Sequence, residues 1–470
     1  MIVDHTWMHY HRRLATRTFR RMNNDQWRAR DLDVLWHPCT QMKDHEHLPM
    51  IPIRSARGVW LEDFDGNRYI DAISSWWVNL FGHCNPYIND RLAEQAATLE
   101  HVILAGLTHP AATELAERLV AVTPPGLDRV FYADSGSAAV EVALKMSFHY
   151  WRNVGRPRRT RFVCLSGSYH GETLGALAVS DVGLYKETYA PLLLEPIVVR
   201  SPDAFDREDG MSWADHAERR FEEMERMLAE RGEEICAVIV EPLVQCAGGM
   251  RMYDPVYLAK LRNACDRYDV HLIADEIAVG FGRTGTMFAC EQAGISPDML
   301  CLSKGLTGGY LPLSAVLTRE EVYQAFYDDY ASMKAFLHSH SYTGNALCCA
   351  AALAVLDLFE RSDVLGENRR RAARMRTSVA ELEDHPNVGD IRQTGMILAI
   401  EMVDDNGQPY PWQQRRGLHV YRHGLGRQAL LRPLGNVVYF MPPYVISDGE
   451  IDHLAQVAIE GIAIATAAER

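Results

Sequence analysis

A lysine stands just beyond a short apolar segment, where its amine is placed for covalent chemistry. Residues 298–302 read Asp-Met-Leu-Cys-Leu, which predicts a buried strand, and Lys304 follows two residues later. Ligands of open parallel sheets bind beyond the carboxyl ends of the strands. A lysine amine there can condense with a bound carbonyl compound to form an imine. Most lysines after strands are solvated surface residues, but three glycines leave room for a ligand here: Gly305, Gly308 and Gly309.

An acidic pair ends a second apolar segment, residues 271–274. Alternation along a strand directs Asp275 and Glu276 to opposite faces. A carboxylate at the strand end suits the ring nitrogen of pyridoxal phosphate (PLP), because it keeps that nitrogen protonated and the ring electron-withdrawing. A turn cap is the alternative for Asp275, and the presence of Lys304 makes the cofactor interpretation preferable.

Small residues connect a third apolar segment, 130–133, to a predicted helix that begins near residue 138. The connection reads Asp134-Ser135-Gly136-Ser137. Free N–H groups at the positive end of a helix bind anions, which suits the phosphate of the cofactor. A plain serine N-cap explains the motif equally well.

Three further motifs follow predicted strands. In Ser168-Tyr169-His170-Gly171, the aromatic Tyr169 could stack on a cofactor ring, and His170 is either a general base or structural. Glu241-Pro242 follows the segment 237–240. The run 280–285 matches GxGxxG, but it neither follows a strand directly nor opens a helix, so we interpret it as a glycine-rich turn. Arg283 within it could bind a substrate carboxylate.

These residues need a scaffold that gathers strand ends together. Short apolar segments alternate with helical patterns, which predicts an α/β fold with a mostly parallel central sheet covered by helices. The predicted strands are 130–133, 161–165, 237–240, 271–274 and 299–302, and the predicted helices include 138–151, 214–231 and 257–268.

Both ends of the chain differ from its middle. Asp65-Gly66 between two short strand-like segments predicts a hairpin. After residue 360 an arginine-rich helical pattern, 369–376, precedes further strand-like segments. We expect the following division: an N-terminal extension without expected order (1–30), a smaller α+β domain from both ends (31–84 and 357–470) and a large PLP-binding domain (85–356).

The composition limits the classes of partner. With 47% hydrophobic and 23% charged residues, the chain of 470 residues is an ordinary globular protein. A net charge of −14 is unlike that of a nucleic-acid binder and disfavours anionic lipid. No apolar run reaches the roughly 18 residues of a membrane helix. We therefore expect small-molecule substrates, with neither nucleic acid nor membrane as a partner.

Two features bear on localisation. The ten cysteines include no CxxC pair, and free thiols in a long chain favour a reducing compartment such as the cytoplasm. The first 22 residues hold five arginines against one acid, a composition that a transit peptide can have. The simpler interpretation is an unstructured basic extension, or translation that starts at Met22, since no clear amphipathic stripe is present.

Together, the strand-end motifs resemble those of the class III, fold type I, aminotransferases. The resemblance runs from about Trp36 to the C-terminus, and the combination is highly specific. Five motifs carry it: Asp134-Ser135-Gly136-Ser137, Tyr169-His170-Gly171, Glu241-Pro242, Asp275-Glu276 and Ser303-Lys304-Gly305.

The resemblance implies PLP as the cofactor and a homodimer whose active sites lie at the subunit interface. It also implies a set of roles. Ser135 and Gly136, with Ser137, hold the phosphate. Tyr169 stacks on the ring, Asp275 meets the ring nitrogen, and Lys304 carries the cofactor as a Schiff base. His170 and Glu241 are further candidate cofactor contacts.

Three more segments, 36–42, 74–77 and 432–444, resemble the branch of this family that acts in biotin biosynthesis. That branch converts 8-amino-7-oxononanoate to 7,8-diaminononanoate, usually with S-adenosylmethionine as amino donor. The resemblance implies that Trp76 and Trp77 line the pocket for the apolar chain, beside Tyr169, and that Arg432 binds the carboxylate. Apolar walls with one distant cation suit such a substrate.

The chain departs from the branch at several positions. Cys39 stands where many members have tyrosine, and Glu172 where some have aspartate. The segment 338–345 replaces a Gly-Pro-Thr-type stretch whose threonine reaches the phosphate of the neighbouring subunit. Ser341 could keep that contact, and Ser339 is a candidate substrate contact. The HxH pair in this segment, without a further ligand, does not indicate a metal.

Other functions stay open. An ω-amino acid or diamine transaminase is an alternative, which the tryptophan pair and Arg432 disfavour. A non-catalytic homologue is a second alternative, which Lys304 and Asp275 disfavour. The amino donor is open between S-adenosylmethionine and lysine.

Overall fold

The computed structural model describes residues 22–467 and confirms the α/β class predicted from the sequence. In chain order the strands are β1 (Ile53–Arg57), β2 (Trp60–Asp63), β3 (Arg68–Asp71), β4 (Arg129–Ala133), β5 (Arg161–Leu165), β6 (Ile197–Val199), β7 (Ile235–Val240), β8 (Val244–Gln245), β9 (Arg251–Met252), β10 (His271–Asp275), β11 (Met299–Leu302), β12 (Ser314–Thr318), β13 (Val388–Thr394), β14 (Ile397–Met402), β15 (Ala429–Leu430) and β16 (Val437–Phe440).

Right-handed helices connect and cover these strands. In chain order they are α1 (Asn24–Leu32), α2 (Pro86–Ala96), α3 (Pro110–Val122), α4 (Gly136–Asn153), α5 (Leu174–Ala178), α6 (Gly183–Lys186), α7 (Trp213–Arg231), α8 (Pro255–Tyr268), α9 (Glu320–Gln324), α10 (Ala346–Arg361), α11 (Val364–Ser378), α12 (Arg416–Gly426) and α13 (Asp448–Ala467). Short 3₁₀ turns lie between several of them.

The central sheet of the described chain has seven strands in the order β4-β12-β11-β10-β7-β5-β6. The pairs from β11 through β6 are parallel, whereas β12 is antiparallel to both β11 and β4. It follows that β4 runs in the same direction as the parallel strands. The carboxyl ends of β4, β5, β7, β10 and β11 therefore lie along one edge of the sheet.

The apolar composition of these strands explains why the sheet is buried on both faces. Every residue of β7, Ile-Cys-Ala-Val-Ile-Val, is buried, and so is every residue of β10 and β11. Continuous apolar strands of this kind need helices on both sides. Helix α4 packs on β12, β11 and β7, and α8 packs on β10 and on the amphipathic α7.

Smaller sheets come from the two ends of the chain. Strands β1, β2, β3 and β15 form one sheet, in which the predicted Asp-Gly hairpin joins β2 to β3. Strands β13, β14 and β16 form another. The expected division into a large domain over 85–356 and a smaller domain from both ends (31–84 and 357–470) stays a prediction.

The prediction of an unstructured extension over residues 1–30 is wrong for residues 24–30, which lie in helix α1. Helix α1 begins at Asn24 because Asn23 and Gln26 cap it reciprocally. The helix is held on the β2–β3 hairpin, since the Asn24 amide donates to Asp63 at 2.9 Å and the Trp27 ring lies 5.2 Å from the Phe64 ring. The arginine-rich stretch up to residue 21, and with it the transit-peptide question, lies outside the described residues.

Strand β12 and helix α10 are among the elements that the sequence analysis did not predict. Strand β12 inserts antiparallel into the sheet, and α10 is a buried alanine-rich helix whose ten buried residues leave little of the polar face that marks an amphipathic helix. Within residues 22–467, every helix is too short or too polar to cross a bilayer.

A glycine between β13 and β14 packs closely against the backbone of the loop around Arg283. Gly395 has φ +57°, and a Cβ atom there would lie 2.4 Å from the Thr284 carbonyl carbon. Gly407 has φ +73° with open space around its Cβ position.

We expect Gly395→Ala to lower the free energy of unfolding by about 3 kcal/mol, because a backbone clash adds to the left-handed strain. The matched control Gly407→Ala carries the strain alone and should cost about 1 kcal/mol. Urea unfolding of both variants measures the difference. Equal losses would show that this approach does not stabilise the fold.

Candidate active site

A cavity of about 330 Å³ opens at the edge where the parallel strands end. Most of the predicted site residues line it: Trp76, Trp77, Ser135, Gly136, Ser137, Tyr169, His170, Glu241, Asp275 and Lys304. A larger cavity of about 540 Å³, around β3 and the end of α12, contains none of the predicted residues. The smaller cavity is therefore the candidate active site, because it is where the chemically competent groups converge.

Lys304 lies at the floor of this cavity with the left-handed φ of +46°. Its Nζ is 4.5 Å from the centroid of the Trp77 ring, and among residues 22–467 it has no carboxylate within ion-pair distance. Burial lowers the pKa of the Lys304 amine, against the opposing influence of Cys246 and Asp275. A lowered pKa increases the neutral, nucleophilic fraction of the amine near neutral pH.

Asp275 is held by a buried histidine. His170 Nδ1 lies 2.7 Å from Asp275 Oδ2, and the backbone N–H of Ile277 donates to Asp275 Oδ1 at 3.1 Å. The side chains of His170 and Asp275 are 0% and 5% exposed. The histidine contact orients the carboxylate, and Asp275 still lines the cavity. This arrangement fits a protonated ring nitrogen of PLP.

Glu241 fixes the loop that carries Tyr169. Its two oxygens accept the backbone N–H groups of Tyr169 at 2.9 Å and Cys246 at 3.0 Å. Burial raises the pKa of Glu241 to about 7, and the nearby charge of Asp275 acts in the same direction. Glu241 thus positions the aromatic residue, while the predicted direct contact with the cofactor stays a prediction.

Glu276 points to the opposite face, as its position in the strand predicts. Its carboxylate accepts the backbone N–H groups of Ala289 at 2.7 Å and Cys290 at 2.8 Å. Its role is therefore structural, which leaves Asp275 as the acid of this pair that reaches the cavity.

The predicted phosphate site is the first turn of α4. Ser135 is the N-cap, and its Oγ accepts the N–H of Ala138 at 3.3 Å. Gly171 lies so close that a Cβ atom would be 2.1 Å from Ser137 Oγ, which makes glycine necessary there. The free N–H groups and hydroxyls at this helix end fit a phosphate, so the cavity offers groups for the ring nitrogen, the aldehyde and the phosphate of PLP.

The tryptophan pair is presented by an unusual turn. Ser74, Ser75, Trp76 and Trp77 all have positive φ, from +47° to +73°. Asp71 supports the turn, since it accepts the Ser75 N–H at 2.9 Å and the Ser75 hydroxyl at 2.7 Å. The turn directs two consecutive aromatic rings to the same cavity, which an extended segment would send to opposite sides.

The two rings have different environments. Trp77 is buried, and its indole N–H donates to the Tyr439 hydroxyl at 3.0 Å. Trp76 is 41% exposed and lies 4.9 Å from the guanidinium carbon of Arg432. Arg432 is exposed, and no carboxylate among residues 22–467 lies within ion-pair distance of it. Such a cation at an aromatic wall fits the predicted contact with a substrate carboxylate.

Arg283 does not point into the cavity, so the predicted contact of Arg283 with a substrate carboxylate is wrong. The side chain is 1% exposed, and its guanidinium donates to backbone carbonyls: Pro442 at 2.8 Å, Asn79 at 2.9 Å, Met441 at 3.4 Å and Trp77 at 3.4 Å. The glycine-rich turn around it directs the side chain into the protein interior. Arg283 therefore supports the pocket wall from behind.

Ser339 and Ser341 lie outside the cavity of the single chain. Both are exposed, and the Ser341 carbonyl lies 2.9 Å from His101 Nε2. In the same segment, His338 Nδ1 lies 2.8 Å from Lys145 Nζ, and the Nε2 atoms of His338 and His340 are 3.2 Å apart. The predicted contacts of the two serines with a substrate and with a neighbouring subunit's phosphate stay predictions.

Two cavity residues with ionisable side chains had no assigned role in the sequence analysis. Tyr185 comes from the short helix α6, and Glu172 accepts the Tyr169 hydroxyl at 2.8 Å. Glu172 sits within the Tyr169 motif, so its position in the motif could have indicated it. Tyr185 has no motif and lies in a segment of weak periodicity.

The chain matches the family described as aminotransferase class-III over residues 40–461. It therefore belongs to the class III aminotransferases, whose members use PLP. The match covers both the central sheet and the smaller sheets from the chain ends.

Individual relatives are named for one enzyme. The chain is 48% identical to the adenosylmethionine-8-amino-7-oxononanoate aminotransferase of Helicobacter pylori, over 90% of this chain and 94% of that protein. It is 44% identical to that of Geobacter sulfurreducens, over 89% and 93%. The crystal structure of the Methanocaldococcus jannaschii enzyme superposes with a TM-score of 0.88 at 36% identity, over 94% and 99%.

The same fold also occurs with another specificity. The ω-transaminase of Pseudomonas jessenii in complex with PMP has a TM-score of 0.87 at 28% identity, over 93% of this chain and 98% of that one. The fold and cofactor are thus common to both groups, and the specificity has to come from the residues around the cavity.

The two arginines near the pocket give a matched pair of variants. Arg283→Met should lower the free energy of unfolding by about 3 kcal/mol or more, because buried carbonyls lose their donor. Arg432→Met should change it by about 0.5 kcal/mol or less and instead raise the KM of a carboxylate substrate. Urea unfolding and steady-state kinetics separate the two effects. A stable Arg283→Met with a raised KM would restore the substrate role of Arg283.

Proposed function

We propose that this protein transfers an amino group to 8-amino-7-oxononanoate, giving 7,8-diaminononanoate, with PLP as cofactor and S-adenosylmethionine as amino donor. The observation that carries the proposal is the Lys304 amine in a cavity that also contains Asp275, the Ser135 helix end and two tryptophans. The names of the relatives at 44% and 48% identity point to the same reaction.

The residues divide the work by position. Bound PLP supplies an electron-withdrawing ring that stabilises negative charge at the substrate carbon. Asp275, oriented by His170, keeps the ring nitrogen protonated. The Lys304 amine would hold the cofactor, and as a free amine it would be the base that takes the proton from the substrate carbon. Trp77 covers the amine and helps to exclude water from this proton transfer.

Specificity is attributed to the cavity wall. Trp76 and Trp77 provide an apolar surface for the methylene chain of the keto acid, and Arg432, stacked on Trp76, provides the cation for its distant carboxylate. Donor and acceptor use one cavity in turn, which predicts ping-pong kinetics.

The proposal includes a homodimer in the cytoplasm. Ser341 would reach the phosphate in the neighbouring subunit, and Ser339 the substrate. Free thiols support a reducing compartment, because all ten cysteines are unpaired.

A second candidate function is an ω-amino acid or diamine transaminase, which the likeness to the Pseudomonas jessenii enzyme supports. Such enzymes would not need the long-chain carboxylate site at Arg432. Strong activity with β-alanine and pyruvate, and none with the oxononanoate, would favour this alternative.

The decisive experiment is single-turnover spectroscopy of the purified protein with its cofactor. The visible absorption band of the cofactor should bleach with S-adenosylmethionine and return with 8-amino-7-oxononanoate. Bleaching by lysine alone would change the donor and keep the acceptor. A band that does not return with the oxononanoate would contradict the proposed acceptor, and absence of the band would contradict the role of PLP.

Lys304→Ala should lower kcat by about 10³-fold or more, since both the covalent anchor and the base are lost. The control is Lys260→Ala, a surface lysine that pairs with Glu218 at 3.6 Å, which should keep full activity. Borohydride reduction followed by mass spectrometry should attach the cofactor to wild type and not to Lys304→Ala. Appreciable turnover by Lys304→Ala would exclude the assigned role.

A further inference from the structure

We propose that Tyr185 is a specificity-determining residue, whose hydroxyl donates to the same substrate carboxylate that Arg432 binds. The inference rests on the proposed function and adds a second donor to its carboxylate site. Tyr185 lines the cavity together with Trp76, the residue on which the Arg432 guanidinium is stacked. Nothing in the motifs of the chain marks this tyrosine.

The contacts of Tyr185 leave its hydroxyl proton available. The one polar partner that the structure gives it among residues 22–467 is the Cys39 thiol, with Sγ 3.7 Å from the hydroxyl oxygen. A thiol is a weak acceptor, so a ligand oxygen would compete easily for the phenol proton. The Tyr185 ring is fixed in place by an edge contact with the Tyr169 ring, at 5.5 Å between centroids.

Two other donors of the aromatic wall are already used. The Tyr169 hydroxyl donates to Glu172 at 2.8 Å, and the Trp77 indole N–H donates to Tyr439 at 3.0 Å. Tyr185 is thus a phenol that can turn its proton toward a ligand without breaking a strong hydrogen bond.

Charges of both signs lie near Tyr185. Burial raises the pKa of Tyr185, and Cys39 and the Glu172 carboxylate act in the same direction, so the phenol keeps its proton, whereas the positive charge of Arg432 acts in the opposite direction. A carboxylate can accept several hydrogen bonds at once. The phenol O–H of Tyr185 and the N–H groups of Arg432 would supply donors from two directions. The pair therefore favours a substrate that carries a carboxylate at this side of the cavity.

The test compares Tyr185→Phe with Tyr189→Phe in the cofactor-loaded enzyme. Tyr189 is half exposed, four residues along the chain and outside the cavity, so it is a matched control. The acceptor is offered as the free acid and as its methyl ester, which keeps the chain and loses the anion. For the acid, Tyr185→Phe should raise the half-saturating concentration about tenfold, as expected for loss of one hydrogen bond to a charged group. For the ester, wild type and Tyr185→Phe should agree within about twofold, and Tyr189→Phe should match wild type with both.

A double-variant cycle separates a direct contact with the carboxylate from a structural role, because it measures whether the effect of Tyr185→Phe on the half-saturating concentration of the acid depends on Arg432. In an Arg432→Met background, Tyr185→Phe should have a clearly smaller effect on the acid, because both residues act on one carboxylate. An unchanged Tyr185→Phe, or equal losses with acid and ester, would overturn the inference while leaving the proposed function intact. A wild-type enzyme that does not react with the acid would overturn the proposed function and the inference together.

Discussion

The buried guanidinium of Arg283 holds together the segments from which the pocket is built. It donates to carbonyls at residues 77 and 79, at the end of the tryptophan turn and just after it, and at 441 and 442, just after β16. Tyr444 strengthens the same junction, since its ring lies 5.0 Å from the guanidinium and its hydroxyl donates to the Phe281 carbonyl at 2.6 Å. Segments far apart in sequence thus bind to one guanidinium, and the position of the pocket wall opposite Lys304 depends on these hydrogen bonds.

The floor of the pocket has a simpler origin. Parallel strands place their carboxyl ends at one edge, and each end carries a residue that suits a different part of one cofactor. Lys304 follows β11, Asp275 ends β10, Glu241 follows β7, and Ser135 lies just after β4. The covalent, acidic and anion-binding groups are therefore brought together by the sheet alone, and the wall adds specificity to this common floor.

This difference explains what could be predicted from sequence. Lys304 and Asp275 were found because an apolar strand followed by a polar residue is a local pattern with a known place in an α/β fold. Arg283 was misplaced because its motif says nothing about which way the side chain points, and its partners lie some 160 to 200 residues away in sequence. Helix α1 was missed because its stability comes from a cap and from contacts with the β2–β3 hairpin. Tyr185 reaches the cavity through a long-range contact that leaves no periodic trace.

The left-handed turn at Ser74–Trp77 affects both the substrate specificity and the stability of the protein, because the residues that line the pocket have an unfavourable backbone conformation. Residues other than glycine lose about 1–2 kcal/mol each in this conformation, and the contacts of Asp71 and Ser74 offset that loss. The indoles of Trp76 and Trp77 therefore project from a strained backbone, and the contacts of Asp71 and Ser74 hold that backbone in place. Substitution of Trp76 or Trp77 can reshape the cavity while the turn stays intact. Loss of Asp71 would instead displace both side chains together. A change of substrate in this chain would therefore act through the side chains of the turn, while the strained backbone that presents them has to stay the same.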